Sequence, residues 1–186
     1  MLKKSLAVTV CLILITTLAY TQGKYFTKAG KIEFYSKAPL EDIEAKNKTA
    51  AVILDARSGA VQFSVLMKGF EFDKALMQEH FNENYVESDK YPKSEFKGQI
   101  VNNSEINYNK SGTYTAKVKG KLSIHGQTRD IETSGNIKVD GDKLEAHSRF
   151  NILLSDYNIK IPKVVKDNIS KDVKIIVDCK LEPLKG

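Results

Sequence analysis

Apolar and polar residues alternate with a period of two through most of the chain, the mark of strands with one buried and one wet face. Val61, Phe63, Val65 and Met67 share one face, with Gln62, Ser64 and Lys68 opposite. Tyr114, Ala116, Val118, Gly120, Leu122 and Ile124 share another, with Lys117, Lys119, Lys121 and Ser123 outside. Ile131, Thr133, Gly135, Ile137 and Val139 repeat the pattern, as do Leu144, Ala146, Ser148, Phe150, Ile152 and Leu154. Asp140-Gly141 between two such runs is a hairpin signal, because glycine takes a positive φ without steric cost. Ser58-Gly59, Ser111-Gly112 and the region of Gly126 punctuate the other runs. The pattern predicts eight strands, at 30–36, 43–56, 60–69, 94–103, 112–125, 129–140, 143–155 and 172–182.

Two segments depart from alternation. In Asp73–Tyr85, Leu76, Met77, His80, Phe81 and Asn84 have helical spacing, and Asp73 stands where an N-cap belongs. In Ile161–Ile169, Pro162 stands at the first turn of a second, shorter helix carrying Val164, Val165 and Ile169. The fold class is therefore all-β with one or two short helices. Long sequential antiparallel strands either stack as a sandwich or close as a barrel, and closure removes exposed edges. Eight strands make a barrel just wide enough for side chains or one slender ligand. The inward residues Phe63, Val65, Phe96, Tyr114, Val118, Leu122, Phe150, Ile152 and Leu154 either fill such a barrel or line a tunnel in it. Alternation is the same in both cases. Small inward residues, Ala116, Gly120, Gly135, Ala146 and Ser148, leave room for a channel or ease strand packing.

The N-terminus changes the picture of where the protein works. Lys3 and Lys4 precede the apolar run Leu6–Ala19, which is shorter than the roughly 20 residues that span a bilayer. This is the layout of a signal peptide, with cleavage expected after Ala19 or Thr21. Residues 1–21 are expected to be removed, leaving 22–186 as a single domain, periplasmic or secreted. Loss of Lys3 and Lys4 lowers the net charge from +6 to about +4. The remaining basic residues are mixed with acids rather than gathered in a stripe, which argues against nucleic acid as a partner. Cys179 is the sole cysteine of the mature chain, which excludes an internal disulfide, and its phase with Val173, Ile175, Val177 and Leu181 predicts burial.

The candidate chemistry is sparse. No HExxH, paired-histidine or CxxC spacing is present, so no metal site is expected. His80 and His125 are expected to make structural hydrogen bonds near turns, and His147 lies on a polar strand face. Ser123 and His125 are two apart on one strand without a nucleophile elbow. Asp156 pairs with His125 or His147 only by sequence coincidence. No catalytic residue is assigned.

A series of small motifs then narrows the choice. Phe72-Asp73-Lys74-Ala75-Leu76-Met77, His80-Phe81-Asn82-Glu83-Asn84-Tyr85-Val86-Glu87-Ser88, Tyr91-Pro92 and Phe96-Lys97-Gly98 follow in order. Gly120 to Arg129, Phe150, Asp156-Tyr157-Asn158-Ile159 and Ile161-Pro162 come after them. This series resembles the YceI-like family of exported, lipocalin-like proteins over roughly residues 30–182. The resemblance implies an eight-stranded antiparallel lipocalin-like barrel with a helix at one end. It also implies an elongated apolar interior that takes polyisoprenoids, isoprenoid quinones or similar amphiphiles, with no covalently bound cofactor. In one respect the chain departs from the pattern. Segment 37–60 is compact, which implies a shorter pocket and leaves the ligand's identity open.

With that resemblance, the inward residues above become candidate ligand contacts, joined by Phe72, Leu76, Met77 and Phe81 on a helix that would cover one mouth. Hairpins such as Val139-Asp140-Gly141-Asp142 would close the other end. Each buried methylene contributes about 0.8 kcal/mol, so ten carbons supply roughly 8 kcal/mol before association costs. The expected function is an exported carrier of an isoprenoid-type lipid or quinone, not an enzyme. The alternatives are an enzyme or accessory factor acting on a lipid-like substrate, with His125 or His80 moving protons, and a structural barrel without ligand. The expected partner is an apolar small molecule. No membrane span is expected, transient membrane contact stays open, and the oligomeric state is not legible.

Overall fold

The alternating runs become the staves of a closed antiparallel barrel in the computed structural model, which describes residues 23–184. The expected signal peptide therefore lies outside the described residues. The elements are β1 (Lys24–Lys37), β2 (Asp42–Asp55), β3 (Ala60–Leu66), β4 (Glu71–Phe72), α1 (Ala75–His80), β5 (Lys93–Ile100), β6 (Gly112–Ile124), β7 (Gln127–Asp140), β8 (Lys143–Leu153) and β9 (Asp172–Pro183). Hydrogen bonding runs in the order β1-β9-β8-β7-β6-β5-β3-β2, and β2 returns to β1 to close the circle. Two-residue β4 pairs with the upper part of β2 through Ala45↔Phe72, beyond the reach of β3. Eight strands thus make the wall, as alternation predicts.

Register divides the barrel into a base and a mouth. Lys24↔Asp55, Asp55↔Ala60, Gly112↔Val139 and Asp140↔Lys143 lie at the base. Lys37↔Asp42, Leu66↔Lys93, Ile124↔Gln127 and Leu153↔Asp172 lie at the mouth. The base is filled with side chains. Leu144 and its partner Leu181 are each 1 % exposed, and Val52, Leu54, Val139 and Ile100 are buried around them. The irregular segment between β5 and β6 crosses beneath, burying Ile106 and stacking Tyr108 on Tyr25 with ring centroids 6.4 Å apart. Polar groups there are satisfied: Tyr108 donates to Asn103 Oδ1 at 2.8 Å, and Asn103 Nδ2 donates to the Ala56 carbonyl at 2.8 Å. Burial pushes the Tyr108 phenol up to about 12.

The wall has a seam between β7 and β8. Pairing between β7 and β8 runs from Asp140↔Lys143 to Gly135↔Ser148 and stops, although β6–β7 pairing continues to Ile124↔Gln127 and β8–β9 pairing to Leu153↔Asp172. A 3-10 turn at Leu154–Tyr157 folds back on β7 at this split, with Tyr157 and Ile159 buried.

Several boundaries differ from expectation. The first strand begins at Lys24 rather than near residue 30, because Tyr25 and Phe26 find partners on both β2 and β9. The helix is shorter than 73–85: α1 ends at His80 and a π-helical turn, Phe81–Tyr85, follows. Asp73 does not cap it, since the N-cap is the extended Lys74 and no side chain bonds the free amides. Segment 161–169 carries only a 3-10 turn, Lys163–Val165, after Pro162. Proline sets the entry, but too few residues follow to sustain a helix.

Candidate functional site

Between the packed base and the mouth lies a cavity of about 380 Å³, within the usual range for small-molecule sites of about 300–1,000 Å³. Every wall strand contributes to its lining: Ile32 and Phe34 from β1, Val52 from β2, Val61, Phe63 and Val65 from β3, and Phe96 from β5. Ala116, Val118 and Leu122 from β6, Ile131 and Ile137 from β7, Phe150 and Ile152 from β8, and Val173, Ile175 and Val177 from β9 complete it. These are the inward members of alternating runs, so the lining follows from period two alone. All the expected ligand-contacting residues reach this lining except Leu76 and Tyr114. Leu76 is 60 % exposed on the outer side of α1. Tyr114 packs against the core near the base, where its hydroxyl donates to the Lys110 carbonyl at 3.0 Å. Phe72, Met77, Phe81 and Leu154 join the lining from the mouth side.

A glycine pair shapes the interior. Gly98 and Gly120 face each other across β5 and β6, and the Phe96 ring lies over both. A Cβ on Gly120 would stand 2.6 Å from Phe96 Cζ, and one on Gly98 would overlap the ring. Of the two roles expected of small inward residues, Gly120 therefore serves packing and not open channel. It leaves a recess that Phe96 occupies. Ala116, Gly135, Ala146 and Ser148 do line the cavity.

The mouth is held by an aromatic knot and a polar one. Phe34 packs on Phe70, Phe72 and Phe81 at centroid distances of 5.4, 5.7 and 5.4 Å, and Phe72 meets Phe81 at 5.1 Å. Aromatic pairs in this range add about 0.5–1.5 kcal/mol beyond their buried area. The cluster ties the α1 segment to the barrel wall. The π-helical turn lets Phe81, Tyr85 and Val86 all face the cavity; such turns recur at functional sites. Phe34 and Phe70 were not among the expected residues. Phe34 shares the phase of Ile32, and both lie within the strand expected at 30–36, so period two already placed Phe34 on the inward face.

The polar knot centres on His125. Its Nε2 meets Glu87 Oε2 at 2.6 Å and its Nδ1 meets the Tyr157 carbonyl at 3.0 Å. The Tyr91 ring packs edge-on against the imidazole at 4.8 Å. Hydrogen bonding to His125 holds the Glu87 carboxyl below its ordinary value. Glu87, His125 and Asn158 are the non-glycine residues with positive φ among those described, at 45°, 49° and 55°. All three converge here, where the α1 segment, the β6–β7 turn and the seam-closing turn meet. Strain of this kind persists only where its surroundings over-determine it.

Other polar groups on the lining are few. Glu41 sits at the mouth, accepts from Lys74 Nζ at 2.9 Å and from Asn168 Nδ2 at 3.5 Å, and the Lys74 bond lowers its carboxyl's pKa. His80 lines the mouth; no hydrogen bond to its ring is found among the described residues, contrary to expectation. His147 Nδ1 pairs with Asp178 at 2.6 Å on the outer wall. Ser123 Oγ bonds Thr128 Oγ1 at 2.7 Å rather than His125, and Asp156 contacts neither His125 nor His147. Cys179 is buried, and desolvation pushes its thiol up to about 12. Among the described residues no three His, Cys, Asp or Glu are arranged to hold a metal ion. No helix among them is long and apolar enough to cross a membrane.

Fold and cavity together define a lipocalin-like barrel, sealed at one end and hollow along an apolar axis. The chain belongs to the YceI-like family, whose domain model matches residues 16–181. Among solved structures, a polyisoprenoid binding domain from Saccharophagus degradans is similar, with a TM-score of 0.75 at 12% identity, covering 87% of this chain and 99% of that one. Burkholderia cenocepacia BcnA is similar with a TM-score of 0.66 at 18% identity, over 82% and 95% of the two chains. The Campylobacter jejuni YCEI protein follows with a TM-score of 0.56 at 16% identity, over 74% and 81%. No curated protein matches significantly. At such identities the likeness is one of fold.

Proposed function

We propose that this protein is an exported carrier that holds one isoprenoid-type lipid or isoprenoid quinone, non-covalently, in the barrel interior. The observation that carries this reading is the cavity itself: an apolar space lined from every wall strand, closed at the base, with its polar groups largely at the rim and along the seam. A slender branched chain suits it, because its walls are aliphatic and phenyl side chains without a ring of polar anchors. At the mouth, Glu41 is paired with Lys74. The family and the polyisoprenoid-binding neighbour support the same class of ligand. Export rests on the leader-like residues 1–21.

Native extraction tests the proposal. The protein is purified without detergent, extracted with organic solvent, and the extract weighed by mass spectrometry. The expected result is one prenylated molecule per protein chain. A protein that releases no apolar molecule, and takes up neither a polyprenol nor a quinone when offered them, would overturn the carrier reading.

A further inference from the structure

The two lips of the mouth differ in charge. From Asp73 to Asp89 the chain carries Asp73, Glu79, Glu83, Glu87 and Asp89 against Lys74, with Asp89 paired to Lys68 and Glu87 to His125. From Ile159 to Lys171 it carries Lys160, Lys163, Lys166 and Lys171 against Asp167. Those four lysines are exposed, and none is in an ion pair among the described residues. Between them stands Val164, which is 91 % exposed. Beside it is Leu40, 72 % exposed, on the β1–β2 loop, whose amide donates to the Asp167 carbonyl at 3.0 Å. One lip therefore presents apolar tips set among unpaired cations, while its neighbours Val165 and Ile169 turn inward to line the cavity.

We infer that this lip, Lys160–Lys171 with Leu40, docks the barrel mouth on an anionic lipid bilayer surface. The inference rests on the carrier reading for its purpose and on charge and exposure for its evidence. Isolated apolar side chains on a surface are ordinary. What sets these two apart is that both stand at the rim of an apolar cavity and share it with lysines. An anionic surface attracts each lysine and receives the apolar tips below its headgroups. The acidic lip across the mouth is repelled by the same surface. Contact is thus one-sided, and the barrel tilts onto the 160–171 lip, which brings that side of the cavity opening against the bilayer. A carrier gains from that pose because an apolar chain then leaves the membrane without crossing open water.

Vesicle co-sedimentation of the purified protein tests this, with vesicles of phosphatidylglycerol and phosphatidylcholine in equal parts and vesicles of phosphatidylcholine alone. Binding to the mixed vesicles is expected, weakening as salt is raised, with little binding to the neutral ones. Each lysine near such a surface is worth about fivefold, so Lys163→Ala with Lys166→Ala lowers the partition coefficient about 25-fold. Val164→Asp lowers it further while leaving the exposed fold untouched. Absence of binding to the mixed vesicles overturns the inference, as does equal binding by the double variant or equal binding to neutral vesicles. Retention by an acidic protein column but by neither vesicle overturns it in favour of a protein partner. Mass spectrometry of the bound molecule keeps the two readings apart. Cargo without vesicle binding removes the docking lip and leaves the carrier, and vesicle binding without cargo does the reverse.

Discussion

The base and the mouth of this barrel are built from the same strands but by opposite rules. At the base, strands turn directly into one another or into a segment tied down by Tyr108 and Asn103, and Leu144, Leu181, Val139 and Val52 pack to near-zero exposure. At the mouth, long irregular connections leave the wall, and Val164, Leu40 and Leu76 stand in solvent. The base packs side chains beneath the cavity, with Val52 and Leu181 also reaching its floor, and the mouth is built from connections that lie outside the ladder. Low local stability is what gating elements need, so the division separates two demands that would conflict in one place.

Substitutions at the two ends should therefore move different observables. The largest effect on the fold is expected for Leu144→Ala, which removes a fully buried side chain at the base. It should cost about 3 kcal/mol and lower the melting temperature, while protein that remains folded keeps its extracted lipid. Loss of lipid without loss of stability would erase the distinction between base and mouth.

A mouth substitution should do the converse. Phe81→Asp places a charge in the four-phenylalanine cluster, and the solvated carboxylate should hold the α1 segment away from the wall. Release of bound lipid, followed by transfer to empty acceptor vesicles, should quicken at least about tenfold, some 1.4 kcal/mol. Gln62→Asp on the outer face of β3, and Leu76→Ser on the solvent side of α1, should leave the release rate unchanged. Equal rates for Phe81→Asp and these two controls would move the entrance elsewhere.

The smallest effect is a pH dependence at the polar knot. Hydrogen bonding to His125 depresses the Glu87 carboxyl below its ordinary 4.5. A depressed acid contributes stability that is present above the ordinary value and disappears as pH falls through the depressed one. Glu87→Gln should melt slightly below the parent protein at neutral pH and alongside it in strong acid. A gap between the two that persists or widens in acid would show that the carboxylate is not what His125 engages.

Much of the wall was legible because burial on one face imposes period two. Phe63, Val65, Phe96, Val118, Leu122, Phe150 and Ile152 reach the cavity for that reason. Alternation does not, however, say how far along the axis a residue sits. Tyr114 has the right phase but lies toward the sealed end, where it meets Lys110. Leu76 failed for a related reason: six residues of helix make fewer than two turns, too few for spacing to fix which side faces inward. The lip at 160–171 and the knot at His125 have no periodicity at all. They depend on three loops meeting in space, and on non-glycine residues adopting positive φ at Glu87, His125 and Asn158, a conformation uncommon outside glycine that spacing does not signal.

The seam between β7 and β8 gives the barrel a property that a fully laddered one lacks. A hoop whose every stave is hydrogen-bonded along its length has a fixed girth, and widening it means breaking a whole ladder. Here the β7–β8 junction is laddered only near the base and is fastened above by a short turn, anchored through Tyr157 and its carbonyl's bond to His125. The upper barrel is thus a hoop with a clasp. At this junction the circumference is free to widen by the slide of a single turn, while the lower barrel keeps its shape.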